Sequence, residues 1–192
     1  MFGMSQKQIL YIVVAVLVLG AALFIFLGSK QPEVSLKATL DKTEYLAGEQ
    51  IELALSLNNT GEIATCVSDI AGGSISFTSI TRDGGPVETR SVPADYLAPL
   101  PELLKVSLKP ISPGEELLVV LSGENDPGLG ARTLTTTALE DGTGIVTFYN
   151  VEKPGQYALE LVYRYVGPDS SDCQSVFKGP SNAVNINFTV TE

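Results

Sequence analysis

Residues 34–57 read VSLKATLDKTEYLAGEQIELALSL, and their pattern of apolar side chains predicts the fold class. Apolar side chains occupy every second position in 34–40 and again in 51–57, with mostly polar side chains between them. A period of two is typical of strands that bury one face. Residues 41–49 separate the two runs and include polar turn-forming residues and a glycine. The stretch therefore predicts two β-strands joined by a connecting turn.

The same pattern continues to the end of the chain. Asp83-Gly84 predicts a tight turn between a strand at 74–81 and a return strand at 87–92. Further strands are predicted at 106–108, 117–121, 145–149, 157–165 and 183–191. About eight to ten short strands, with no amphipathic helical window after residue 33, predict an all-β domain over 34–192 built as an antiparallel β-sandwich.

Several turns in this region resemble those of a known superfamily. Asp41-Lys42-x-x-Tyr45-x-x-Gly48-Glu49, followed by Leu57-Asn58-Asn59-Thr60-Gly61, resembles the opening of bacterial and archaeal immunoglobulin-like surface modules, including macroglobulin-type and proteinase-inhibitor-like domains. The Ser-Pro-Gly-Glu turn at 112–115, the Lys-Pro-Gly-Gln-Tyr turn at 153–157 and the Ser-Asn-Ala-Val segment at 181–184 fit the same superfamily. The resemblance implies an Ig-like sandwich. The chain departs from antibody-type domains because it has no tryptophan to pack on a disulfide.

An apolar run precedes the predicted domain. Ile9 to Leu27 is uncharged, and at about 1.5 Å per residue a helix of this length crosses a bilayer core. We predict a cytoplasmic N-terminus (1–8), a transmembrane helix (9–28), a linker (29–33) and an extracytoplasmic domain, so that the protein is a single-pass protein of the cell membrane. Two alternatives stay open: a signal peptide cleaved near Gly20-Ala21-Ala22, and a pilin-like leader that ends at Gly3.

Charge and cysteine content fit an extracytoplasmic domain. Residues 33–192 hold 10 basic and 22 acidic side chains, a net charge of −12, which disfavours nucleic acid as a partner. Cys66 and Cys173 are the two cysteines of the chain, and in an oxidising compartment a pair predicts one disulfide. Two buried free thiols are the alternative.

Signals for catalysis and cofactors are poor. The chain has no histidine, which excludes a Ser-His-Asp triad and a histidine-ligated metal centre. Glu124-Asn125-Asp126 and Glu140-Asp141-Gly142 offer oxygen ligands for calcium, but they do not match a calcium-loop pattern and are interpreted as turns. We predict no enzymatic activity, no cofactor and no small-molecule substrate.

Two further features bear on the surface. Asn58 and Asn187 stand in Asn-x-Thr patterns and are candidates for N-glycosylation. The proline-rich stretch 93–105 keeps several apolar side chains, and it is interpreted either as a loop that packs on the sandwich or as an interaction loop. The candidate contact residues in it are Tyr96, Leu97, Leu100 and Leu103.

Three functions are compatible with these features. The leading hypothesis is a membrane-anchored Ig-like module with a structural or protein-interaction role at the cell surface. The second is a pilin-like or surface-filament subunit, with the helix in the filament core and the sandwich outside. The third, suggested by the resemblance alone, is a protease inhibitor that presents a reactive loop such as Ala94 to Glu102.

Overall fold

A computed structural model describes residues 33–94, 100–141 and 143–192, which all belong to the compact unit Pro32–Glu192. The described residues form fourteen strands and one short helix. In chain order the elements are β1 (Val34–Leu40), β2 (Glu44–Leu46), β3 (Glu52–Asn59), β4 (Thr65–Ser68), β5 (Ile75–Arg82), β6 (Gly85–Pro86), β7 (Thr89–Pro93), α1 (Leu100–Val106), β8 (Leu108–Ile111), β9 (Glu116–Ser122), β10 (Glu124–Asp126), β11 (Ala131–Glu140), β12 (Thr143–Asn150), β13 (Gly155–Tyr163) and β14 (Val184–Thr191).

The strands form four sheets within the described residues. The largest has the order β2-β14-β13-β5-β6, and a four-stranded sheet has the order β10-β11-β12-β7. The third sheet is β1-β3-β9, and β4 pairs with β8. Pairing between named strands is antiparallel except for β14 with β2. The prediction of an all-β domain is confirmed.

One core cluster joins strands from these sheets. Leu53, Leu55 and Leu57 alternate along β3 with fully buried side chains, and Leu159 and Leu161 do the same on β13. These are the alternating positions that a half-buried strand turns inward. The period-two pattern that predicted β3 therefore marks the residues that fill the core.

The predicted hairpin at Asp83-Gly84 is present, but its return strand is wrong. β5 pairs with β6, which spans only Gly85–Pro86. The chain then leaves this sheet, and β7 pairs with β12 in the four-stranded sheet. Pro86 lacks a backbone N–H, so it cannot donate to a continuing ladder.

Other predictions of secondary structure were also wrong. Glu44–Leu46 forms β2 inside the predicted connecting turn, and Glu124–Asp126, interpreted as a turn, forms β10. Residues 100–106 form helix α1, where the sequence indicated a loop followed by a strand from Val106. Leu100 and Leu104 are one turn apart and buried, and Pro101 is tolerated because it lies in the first turn. Strand β11 was missed, since its threonine-rich sequence shows no clear alternation of apolar side chains.

The predicted transmembrane helix, Ile9 to Leu27, lies outside the described residues. Within the ranges 33–94, 100–141 and 143–192, no helix has both the length and the apolar character needed to cross a membrane.

Candidate functional site

Strand β9 exposes large apolar side chains at positions within the strand, and among the described residues the interior of no other strand exposes such side chains as much. It is the outer strand of the sheet β1-β3-β9. Val119 and Leu121 point into the core, whereas Leu118 and Val120 are 63% and 48% exposed. Neighbouring side chains on a strand point to opposite faces, so the two exposed residues share one face. The strand therefore presents an apolar strip to solvent.

The backbone of β9 also has a free side. Gly123 donates its N–H to the carbonyl of Ile51 at 2.8 Å, and Asn59 donates its N–H to the carbonyl of Glu115 at 3.0 Å. Bonded pairs recur at every second residue of an antiparallel ladder, so the odd-numbered residues of β9 bond to β3. The N–H and C=O groups of Leu118 and Val120 consequently point away from the sheet. A strand in this state is a template for another strand.

The opposite edge of the same sheet is closed. The side-chain amide of Asn182 donates to the carbonyl of Leu36 at 3.0 Å, and its oxygen accepts the N–H of Leu36 at 2.8 Å. Leu36 lies on β1, whose outward backbone groups are thus satisfied at this point. The β1 edge is thus covered at Leu36, whereas the outward backbone groups of Leu118 and Val120 have no hydrogen-bond partner among the described residues.

A groove of ≈ 610 Å³ lies beside the second half of β9. One wall contains Val120 and Ser122, and the other is one face of β11 and β12. Thr135 pairs with Phe148, and Thr137 pairs with Val146, so these four side chains form a ladder along that wall. Ala71, Gly72, Leu121 and Glu124 complete the lining. The volume falls within the range of about 300–1,000 Å³ that is typical of ligand sites.

An ion pair between the partly exposed Arg90 and the buried Asp126 lies at the far wall of the groove. Arg90 on β7 donates from Nε to Asp126 at 2.7 Å and from Nη2 to the second oxygen of the same carboxylate. Asp126 also accepts the N–H of Gly128 at 2.9 Å. The guanidinium of Arg90 lies 5.3 Å from the ring centroid of Phe148. The pair ties β10 to β7 and keeps Phe148 in place.

Because of this ion pair, the free energy of unfolding is expected to depend on pH. The hydrogen bond from Arg90 lowers the pKa of Asp126 below its usual value near 3.8. The unfolded chain therefore takes up a proton at a higher pH than the folded chain, so the contribution is present above about pH 4 and is lost as the pH falls further. We expect urea unfolding to show a free energy that drops between pH 5 and pH 2. Asp126→Asn is expected to lower stability at pH 6 and to reduce this dependence. A slope should remain, because hydrogen bonds also lower the pKa values of Asp41, Glu49, Glu88 and Glu115. Glu140→Gln, at an exposed position, is the matched control and should leave the slope unchanged.

The predicted disulfide is confirmed. Cys66 on β4 is bonded to Cys173, which lies 107 residues later in the connection between β13 and β14, with a Cα–Cα distance of 6.0 Å. Cys66 donates its N–H to Ser175 and accepts the N–H of Phe177 at its carbonyl. The 173–177 segment is thus held along β4 by the covalent bond and by main-chain hydrogen bonds.

The glycosylation candidates lie in different surroundings. Asn58 is half-buried in the central strand β3, between Ser35 and Glu116. Asn187 is exposed on β14, on the face opposite the core side chains Ile186 and Phe188. Asn187 is therefore the more accessible of the two positions.

The structure describes two of the four residues of the predicted interaction loop, and these two lie in different surroundings. Tyr96 and Leu97 lie outside the described residues. Leu100 is buried, and its side chain lies against Gly144, where an added β-carbon would come within 2.8 Å of Leu100 Cδ2. Leu103 is 42% exposed on α1. Of the two described members, only Leu103 is available at the surface.

Sequence reasoning missed Leu118 and Val120 as surface residues. The run Leu-Leu-Val-Val-Leu at 117–121 has no polar alternation, so it resembles a strand that is buried on both faces. The edge position of β9 depends on distant strands. No local signal in the run could have shown it.

The calcium candidate at 124–126 includes a carboxylate that already has a partner. Asp126 is engaged by Arg90, and no group of three metal-ligating side chains suited to a metal ion is present in the described part of the chain.

Neither a scan against family models nor a search of curated proteins finds a match to this sequence.

Proposed function

We propose that the protein is a membrane-anchored, extracytoplasmic Ig-like module whose role is to contact another protein at the cell surface. The observation that carries this proposal is the open edge of β9, where Leu118 and Val120 expose both side chains and unpaired backbone groups. Soluble domains usually cover or charge such an edge. An edge that is left apolar is suited to contact with a partner.

Two further features support a position outside the cytoplasm. The bond between Cys66 and Cys173 is of a kind that persists in oxidising compartments. The apolar run from Ile9 to Leu27 has the length of a membrane span. Together they support a domain held at a surface by its N-terminal segment.

The described residues give less support to the two alternative functions. A reactive loop of an inhibitor has to be exposed, yet Ala94 and Leu100, near the two ends of the candidate loop, are buried. The filament hypothesis depends on residues 1–30, which lie outside the described part of the chain.

A photo-crosslinking experiment in native membranes tests the proposal. The full-length protein would carry a benzophenone amino acid at Leu118 and, in a matched control, at the exposed Asn187 on β14. We expect the protein to sediment with membranes. We expect its intact mass to match a chain that begins at Met1. We also expect Leu118 to give a discrete adduct that Asn187 does not give.

Other outcomes contradict the proposal in separate ways. A mature protein that starts at Met4 would favour the filament subunit, and one that starts at Leu23 would remove the anchor. Equal labelling from both positions would remove β9 as the contact surface.

A further inference from the structure

We propose that β9 and its groove accept an extended segment of a partner protein as an added antiparallel strand. The segment carries apolar side chains at alternate positions and a lysine or arginine near each end. This inference rests on the proposed function as an interaction module and specifies the chemistry of the partner.

The first argument is that β9 lacks the devices that block strand addition. Its seven residues, Glu116–Ser122, pair with β3 in one unbroken register, and they contain no proline and no lysine. Its one charged residue is Glu116 at the first position, and apolar edges of this kind invite pairing. Other outer strands are protected by their short length, as in β2, β6 and β10, or by Arg90 and Pro93 in β7.

The second argument is the shape of the space beside the edge. A strand that pairs with Leu118 and Val120 lies about 4.8 Å from β9. At that distance its side chains reach the groove, where Thr135 and Thr137 offer half-buried hydroxyl groups. Val146 and Phe148, each 8% exposed, contribute the small apolar part of the wall that remains accessible. An extended segment can therefore bond through its main chain and place alternate side chains against this wall.

The third argument concerns charge and selects a foreign segment over a second copy. Glu124 is the one charged residue among the described residues that line the groove, and Glu116 stands at the other end of β9. Both ends of the edge are therefore acidic. A second copy would bring its own excess of acidic residues, with a net charge of −10 for the whole chain. A segment with basic ends is complementary to both glutamates.

A palindromic peptide, acetyl-Lys-Thr-Val-Thr-Val-Thr-Val-Thr-Lys-amide, is a suitable probe because it places valines opposite Leu118 and Val120 in either direction. We expect NMR titration of the disulfide-bonded protein to shift the amide signals of Leu118 and Val120. N-methylation of the three valine amides removes donors to β9 and is expected to weaken binding about tenfold or more. The same peptide with glutamate ends is expected to bind more weakly, with the difference reduced at high salt.

Two protein variants form a matched pair. Val120→Pro removes an outward N–H of β9 and leaves the ladder to β3 intact, which proline tolerates on an edge strand. Ala38→Pro makes the same change at an outward position of β1. We expect Val120→Pro to lose peptide binding and Ala38→Pro to keep it, with circular dichroism confirming that both are folded.

Each contrary result overturns the inference. Absence of shifts at β9, or binding that survives N-methylation and Val120→Pro, would show that no strand is added there. Dimers that form in the absence of peptide and disappear in Val120→Pro would identify a second copy as the occupant. If Leu118 still crosslinks a partner in membranes while the peptide fails, the proposed function stands and only strand addition is wrong.

Discussion

Replacing Cys66 and Cys173 together by alanine is expected to lower the free energy of unfolding by about 4 kcal/mol. The bond closes a loop of 107 residues, and the loss of chain entropy in the unfolded state predicts roughly 4.7 kcal/mol for a loop near 100 residues. Measured losses for small secreted domains lie at about 2–5 kcal/mol. The main-chain bonds between residue 66 and the 173–177 segment, and the hydrogen bond from the Thr65 hydroxyl to the carbonyl of Ser175, do not need the cysteine side chains and are expected to remain in the double variant.

Urea unfolding followed by circular dichroism measures this effect. Alanine is preferred to serine, since Cys66 is buried and a hydroxyl there would need a hydrogen-bond partner. The wild type in reducing agent should match the double variant, and this comparison controls for the change of side chain. Equal stability of the oxidised wild type and the double variant would contradict the expected contribution.

The parts of the fold that could be predicted are those with a local signal. Leu53, Leu55 and Leu57 alternate with less buried residues on β3, and Ile186, Phe188 and Val190 do so on β14. Each strand has one core face and one outer face, so its sequence period is two. The disulfide was predictable for a different reason, since a chain with two cysteines that is expected to lie in an oxidising compartment has one possible pairing.

The parts that could not be predicted depend on contacts between distant residues. Residues 87–92 were expected to return along β5, but the observed strand Thr89–Pro93 pairs with β12, more than 50 residues later in the chain. Helix α1 has seven residues, which is too short for a periodic signal to stand out. Its two buried leucines find their partners at Gly73 and Gly144, where the absent side chains leave room.

The candidate site illustrates the same limit. The sequence left the apolar stretch 93–105 open as either a packed loop or an interaction loop, whereas the structure exposes apolar side chains on β9. Both segments are apolar, and their sequences do not say which is covered. Leu104 is buried beside Gly73, while Val120 lies on an edge that no described strand covers. Burial is a property of the assembled sheets, so it was visible only in three dimensions.

Asn59→Ala is expected to lower the free energy of unfolding by about 2–4 kcal/mol. Asn59 is fully buried at the end of β3, and Nδ2 donates to the carbonyls of Ile63 at 2.9 Å and Ile111 at 3.0 Å. Its side-chain oxygen accepts the N–H of Gly61 at 3.0 Å. Alanine removes the donor to the carbonyls of Ile63 and Ile111, whereas the N–H of Gly61 keeps its hydrogen bond to the carbonyl of Glu33 at 3.2 Å. Each buried group that is left unsatisfied costs about 1–3 kcal/mol before water or local movement restores part of it. The asparagine thereby joins β3, the following turn and β8.

The neighbouring residue provides the matched control. Asn58→Ala changes the same side chain at a half-buried position whose side chain faces away from the core, and it should cost less than about 0.5 kcal/mol. Asn59→Asp should be more damaging than Asn59→Ala, because a carboxylate oxygen would then face the two carbonyls that Nδ2 now bonds. Thermal and urea unfolding of the three variants measure the order. If Asn58→Ala were as destabilising as Asn59→Ala, the loss would come from the strand end as a whole and not from the three hydrogen bonds of Asn59.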